Sequence, residues 1–404
     1  MSELYQKSWQ KLELHAVLEK LSACAGSSDG KAACLALTPT SDLEDVQRLL
    51  DETTAASNLS TRKGYPGFAG AVNVLASIDR AERGGSLQPK ELLQIAGVLR
   101  CARTVKDYIT DDEEPTVLTP MFRMLTANKY LEERIFSSIL SEEEIADSAS
   151  AELADIRRHM RVQSAKVKES LQKIISSPTY AKVLQEAIIT TRSDRYVVPV
   201  KAEHKSMIPG LVHDISSSGA TVFIEPMGAV KANNEIRELK IKERQEIERI
   251  LSELSAECAS FRDDIERSFH VLVELDVIFA KARLAYKMQA WAPEMNDTGR
   301  VVLRNARHPL IDPKQVVPIS LHIGDTFDTM IITGPNTGGK TVTLKTVGLL
   351  TLMAECGLHI PAGDGSCLST FNAILADIGD EQSIAQSLST FSSHMRTIVQ
   401  IVNR

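Results

Sequence analysis

Eight consecutive residues carry the clearest chemistry in this 404-residue chain: Gly334, Pro335, Asn336, Thr337, Gly338, Gly339, Lys340 and Thr341. They satisfy the spacing G-x-x-x-x-G-K-[ST], with the apolar run Met330, Ile331, Ile332, Thr333 before them and an apolar stretch over 342–358 after them. Glycines in this pattern let backbone N–H groups turn inward around phosphate oxygens. A helix that starts at the lysine directs its positive end at the same place. Lys340 would reach the β and γ oxygens of a nucleotide and Thr341 would offer its hydroxyl to Mg²⁺, so the stretch reads as an ATP site built on strand, loop and helix.

Hydrolysis asks for two more groups, a carboxylate on a neighbouring strand to hold Mg²⁺ and a residue to orient water. Ala373, Ile374, Leu375, Ala376 and Asp377, followed by Asp380 and Glu381, are the nearest candidates. Gly379 sets the later acids in a loop, and 23 residues after Glu381 are too few to complete a doubly wound sheet, so a polar connector is the expected assignment. The hydroxyl-rich run over 387–394 precedes Met395, Ile398, Val399 and Ile401 and reads as a loop entering a helix. Its serines are expected as a cap, with an anion site as the alternative.

The elements that position these residues are punctuated by glycine and proline. Neither occurs over 121–177 or over 229–292, whereas the 51 residues between hold four prolines and three glycines. Two long helices should therefore flank a compact insert. Ser141 and Glu144 have capping-box spacing, and Ile145, Ala149, Leu153, Ile156, Met160, Val167, Leu171 and Ile174 then step by threes, fours and one seven. Ile247, Ile250, Leu254, Cys258, Phe261 and Ile265 start a second stripe that runs to Phe279. Narrow seams of this kind pack helix on helix, as an antiparallel pair with residues 178–228 at the far end. That tip reads as strand at 195–200 and 220–224, with turn chemistry over 216–219.

Residues 1–120 read as a bundle of shorter helices, with Leu12, Leu14, Val17, Leu18 and Leu21 as one apolar group and breaks at 37–39 and 86–89. Arg80, Arg83 and Lys90 lie close to Glu82 and Glu91 and read as a solvated face rather than a phosphate grip. The expected fold is mainly α, with a small β-rich clamp and an incomplete α/β P-loop domain. The expected boundaries are a helical core over 1–120, an ascending lever over 121–177, a clamp over 178–228, a descending lever over 229–292, and the first half of an ABC-like ATPase domain over 293–404.

Net charge is −7, so affinity carried by bulk positive charge is not expected. Residues 300–404 hold eight basic and eight acidic side chains, which leaves the acidity in the first three quarters. Six cysteines without a C-x-x-C pair indicate neither a zinc site nor a disulfide framework. With no apolar run near the roughly 20 residues that span a bilayer, the expectation is a cytoplasmic protein without a membrane partner.

The loop at 334–341, preceded by Ala306, Arg307, His308, Pro309 and Leu310 and followed by Ser389, Thr390 and Phe391, resembles the ATPase domain of the MutS mismatch-repair family. The runs over 195–201, 213–226 and 233–237 are similar to its second bacterial subfamily, the branch tied to anti-recombination and rescue of collided ribosomes. The resemblance implies a bundle as core, two lever helices, a clamp, and a homodimer in which Ser389 reaches the partner's γ-phosphate. It also implies that residues 380–383 line the nucleotide site.

Three departures stand out. The core starts at once, without a mismatch-reading domain, and the sole F-x-E match, Phe223, Ile224, Glu225, falls in the clamp and reads as strand. Val316, Val317 and Pro318 stand where the family has an aromatic for the adenine. The family's Asp-Glu strand and its C-terminal nuclease-like domain would lie beyond Arg404, so the chain reads as an N-terminal fragment without ATP turnover. What the resemblance implies is an ATP-dependent homodimeric clamp on branched DNA, recombination intermediates or ribosomes. The alternative from the residues is a structural coiled-coil protein with a regulatory nucleotide site, disfavoured because such proteins place the loop near the N-terminus.

Overall fold

Polar caps decide where the first helices begin. Ser27 accepts from the Gly30 N–H at 2.9 Å ahead of helix Ser28–Leu35, and Asp42 accepts from the Asp45 N–H at 3.0 Å ahead of helix Leu43–Lys63. The first cap is itself held by the buried Asp276, whose carboxylate accepts from the Gly26 and Ser27 N–H groups at 2.8 Å and from the Ser27 hydroxyl at 2.6 Å. The computed structural model describes residues 3–110, 112–335 and 338–378, together with Met395, Ile398 and Val399. It is mainly helical, with two four-stranded sheets among the described residues.

The chain divides into two compact units, each assembled from separate stretches: Met1–Asn73, Gly97–Lys129 and Asp263–Arg404 in the first, Val74–Ala96 and Tyr130–Arg262 in the second. In the first, helix Lys340–Glu355 buries Leu349, Leu350, Leu352 and Met353 in one core with Leu12, Leu14, Val17, Leu21, Val301 and Leu368. Its sheet runs in the order Glu294–Asn296, Cys367–Ser369, Val301–Ala306, Ile319–Ile323; the first pair is parallel and the other two are antiparallel. Phe68, Tyr108 and Phe122 surround Phe279, with ring centroids 5.7 to 6.3 Å from its own. The six cysteines are buried free thiols.

In the second unit, helices Ala151–Ile175 and Met227–Ser260 pack antiparallel. Near one end Ser150 donates to Glu246 at 2.6 Å and Arg157 to Glu243 at 2.7 Å; near the other, Gly228 lies against Ser170. The sheet beyond them has the order Thr190–Arg192, Arg195–Lys201, Thr221–Pro226, Gly210–Ile215, all antiparallel. Val198, Val200, Val222 and Ile224 pack with Val167, Leu171 and Ile236 of the helices, a small core of its own. Phe223, Ile224 and Glu225 are in strand, as read.

Both long helices are shorter than the glycine and proline gaps suggest. The one expected over 121–177 is three, Thr119–Met124, Lys129–Ser138 and Ala151–Ile175. Ser141 sits in a turn, accepting from the Glu143 N–H at 3.3 Å; the cap is Ser150, which accepts from the Leu153 N–H at 3.0 Å. The adjacent acids Glu142, Glu143 and Glu144 lie exposed in that turn. The second helix breaks at Phe261 (φ −110°, ψ 19°), and Asp263 and Asp264 favour a fresh N-terminus for Arg262–Met288. In the sheet, the turn at 216–219 joins Thr221–Pro226 to Gly210–Ile215, a strand that composition did not reveal. Among the described residues no helix is long and apolar enough to cross a membrane.

Candidate nucleotide site

From strand Ile319–Ile323 the chain turns at Gly324, where the backbone comes so close to Gly299 that a Cβ would lie 2.1 Å from its carbonyl oxygen. Residues 330–333, expected as a buried strand, have no ladder partner among the described residues, and Ile331 is 83% exposed. Apolar β-branched composition supplies a strand's side chains but not its neighbour.

The loop then takes the backbone forms its glycines permit. Gly334 has φ +141°, and Gly339 has φ +76° as the residue before helix Lys340–Glu355; a Cβ on either would touch nothing among the described residues, so conformation demands glycine there. The Gly338 N–H donates to the Pro335 carbonyl at 2.9 Å, and the Lys340 ammonium donates back to the Gly334 carbonyl. No side chain caps the helix start, so its first N–H groups face the loop, with Thr341 exposed beside them. Six of the eight expected residues are thus brought together. Asn336 and Thr337 lie outside the described residues.

Asp377 does not sit on a strand. Its carboxylate pairs with the Lys11 ammonium at 2.8 Å, with 12% of the side chain exposed, consistent with the polar connector. Asp380, Glu381, residues 380–383 and Ser389 lie outside the described residues. Val316, Val317 and Pro318 offer no aromatic ring, and Val317 is 79% exposed.

The far end of the same helix is dry. Burial pushes the Glu355 carboxyl up to about 7, against a Phe371 N–H that donates to it at 3.0 Å. Burial likewise pushes His359 down to about 4 and holds the Lys281 ammonium below its usual range while it donates to the Cys356 carbonyl at 2.8 Å. The Arg307-His308-Pro309 motif is an anchor in this unit. Arg307 donates to the Met288 and Gln289 carbonyls at 3.0 and 2.8 Å, and Pro309 accepts from Lys20 at 3.0 Å.

Residues 330–404 match the family model described as MutS domain V. The chain is 49% identical over 401 residues to the "Endonuclease MutS2" of Ruminiclostridium cellulolyticum and 50% identical over 401 residues to that of Acetivibrio thermocellus. Each alignment covers 98% of this chain and 51% of the relative, so the chain spans about half the length of the curated relatives it matches. The "Endonuclease MutS2" of Clostridioides difficile is 45% identical over 401 residues. The chain belongs to the MutS family, and within it to the MutS2 type.

The MutS2-type runs at 195–201, 213–226 and 233–237 had no assignable role in the sequence, and the fold shows what they share. Glu225, fully buried, accepts from Arg195 Nη1 at 2.8 Å on both oxygens and from Asn233 Nδ2 at 2.7 Å, and lies 2.5 Å from His213 Nε2. Asn233 also donates to the Tyr196 carbonyl at 3.1 Å, and Arg195 reaches Asn234 at 2.6 Å. One carboxylate therefore joins three strands to the helix Met227–Ser260. Spacing could not have found it, because its members are up to 38 residues apart, from Arg195 to Asn233.

Proposed function

We propose that this chain is the core, lever, clamp and nucleotide-binding portion of an ATP-driven homodimeric MutS-type clamp. The observation that carries the reading is the helix start at Lys340. An uncapped N-terminus, Gly339 in the left-handed conformation and an ammonium folded to Gly334 together make a cradle for the phosphates of ATP.

The donor set fits that group. The N–H groups at the start of Lys340–Glu355 bind phosphate oxygens, Lys340 balances their charge, and Thr341 would hold Mg²⁺ through its hydroxyl. When bound, Mg²⁺ with ATP supplies charge neutralisation on the β and γ oxygens. Ser389 would contact the nucleotide of the partner subunit.

The antiparallel helices Ala151–Ile175 and Met227–Ser260, with their sheet fixed through Glu225, suit an arm that closes on a large target. We assign that target as branched DNA, including recombination intermediates, or a collided ribosome. The relatives' name, endonuclease, adds that activity for the longer protein. The test is capture by the chain of four-way junction DNA, duplex DNA and ribosomes, with and without ATP and Mg²⁺, against Lys340→Ala and a deletion of residues 178–228 closed by a short turn. Loss of capture on clamp deletion, with nucleotide binding retained, supports the reading; capture unchanged by both variants sinks it.

A further inference from the structure

A cavity of about 940 Å³ opens in the first unit between helix Leu43–Lys63 and the end of helix Arg262–Met288, a volume in the range of small-molecule sites. It is not the phosphate loop. His359 and Asp364, which line it, follow the C-terminus of the 16-residue helix Lys340–Glu355, about 24 Å of helix from Lys340.

One wall is a ladder of neutral hydrogen-bonding side chains. Thr54, Ser57, Asn58 and Thr61 recur at three- and four-residue spacing along a single face of Leu43–Lys63. The Ser57 hydroxyl has no hydrogen-bond partner among the described residues but also no surface open to the cavity, so the groups of this wall that a ligand can reach are the exposed Asn58 and Thr61. Thr54 is already used: its hydroxyl donates to the Leu50 carbonyl at 2.8 Å and so accepts from His359 Nε2–H at 3.0 Å, which places a proton on Nε2.

The other walls are aromatic. Tyr286 is 80% exposed and Trp291 69%, a large commitment of ring surface to water, and Tyr65 is backed by the Arg283 guanidinium 4.5 Å from its centroid. Among the described residues Lys287 and Asp364 are the only charged ones that line it, one of each sign, so they concentrate no charge for a phosphate.

Flat rings beside a neutral donor and acceptor ladder suit a planar ligand with hydrogen-bonding edges. An aliphatic ligand would strip water from Asn58 and Thr61 without replacing its hydrogen bonds, and an anion would find no net charge. We propose that this cavity binds an unpaired nucleobase with its sugar, stacked on Tyr286 or Trp291 and read by Asn58 and Thr61. The base would come either from a free nucleoside or from an unpaired residue of a nucleic-acid strand.

The experiment is titration of the 404-residue chain, followed by Trp291 emission and by calorimetry, with adenosine, guanosine, cytidine and thymidine. A short single-stranded oligonucleotide and its abasic counterpart form the second arm. Nucleosides carry no phosphate, so the loop at Lys340 has nothing to grip, and failure here leaves the ATP reading untouched. The expected result is a saturable response that Tyr286→Ala and Asn58→Ala each weaken by about tenfold, both side chains being exposed enough to replace without unfolding. Lys340→Ala should leave it unchanged. A response to nucleosides identifies the free ligand; a response to the oligonucleotide alone, absent with abasic sugar, identifies the strand. No saturable response in either arm, a response indifferent to both cavity variants, or one lost in Lys340→Ala overturns the proposal.

Discussion

Arg195 Nη1 lies 2.8 Å from each carboxylate oxygen of Glu225, a side chain with no exposed surface. The pair spans the two central strands of the clamp sheet, and Asn233 extends it to the helix that leaves the sheet. A charge in that position is tolerable only while its donors surround it.

Arg195→Ala should therefore loosen the sheet by about 3 to 5 kcal/mol, the usual penalty for leaving a buried charge without its partner. Glu225→Gln, which removes the charge and keeps the shape, should cost less. Amide exchange over 196–226 reads both. Equal protection in Arg195→Ala and parent would show that the small core around Val198, Val200 and Ile224 holds the sheet without the pair.

At the loop, Lys340→Ala should weaken ATP binding while leaving the melting temperature near that of the parent, because the ammonium lies in an exposed loop, donating to the Gly334 carbonyl, and takes no part in the buried core. Gly339→Val should be worse. With φ at +76° a β-branched residue is strained by about 1 to 2 kcal/mol before any phosphate arrives, so both binding and the start of the helix suffer. Calorimetric titration with a non-hydrolysable ATP analogue, beside thermal melts, separates the two. Unaltered affinity in Lys340→Ala would remove the lysine from the site.

Two groups at the other end of the helix give opposite pH slopes. Glu355 keeps its proton to about 7 when folded and loses it near 4.5 when unfolded, so its contribution is full below the lower value and is lost as pH rises through the upper one, by at most about 3 kcal/mol. His359 is pushed from 6.5 to about 4, so its contribution is present above 6.5 and is lost as pH falls toward 4. Between about pH 4.5 and 7, where Glu355 loses its proton and His359 acts in the opposite sense, Glu355→Gln should make the melting temperature rise more steeply with pH than in the parent. Parallel curves for variant and parent would mean that Glu355 does not set that slope.

What the sequence revealed follows from how local each signal is. The phosphate loop is a contiguous backbone motif, so Gly334, Gly339 and Lys340 could be placed from spacing alone, and the apolar group from Leu12 to Leu21 is buried as its periodicity indicates. Helix length was overread because absence of glycine and proline permits a helix but does not compel one. The stop at Phe261 and the turn at Ser141 depend on acidic neighbours and a cap at Ser150. The Glu225 cluster and the cavity beside Trp291 were invisible because their members meet only through tertiary packing. Gly210–Ile215 was missed because a glycine start and His213 and Asp214 break the alternation that marks a strand.

The last expectation concerns turnover. ATP hydrolysis needs a carboxylate fixed near the Thr341 hydroxyl, and the acid that follows the loop most closely in the manner of such a strand is Asp377. That carboxylate is nearly buried and is taken by Lys11 at 2.8 Å, in a segment without strand pairing. A carboxylate neutralised by an ammonium is a poor ligand for Mg²⁺, since the metal would have to displace the lysine and leave its charge in a half-buried place. The 404-residue chain is therefore expected to bind nucleotide without hydrolysing it, and Asp377→Asn to weaken the packing of Lys11 rather than any catalysis. A steady-state phosphate-release assay decides the matter. Turnover that disappears in both Lys340→Ala and Asp377→Asn, and rises in Lys11→Ala, would make Asp377 the metal carboxylate and the lysine pair a resting arrangement.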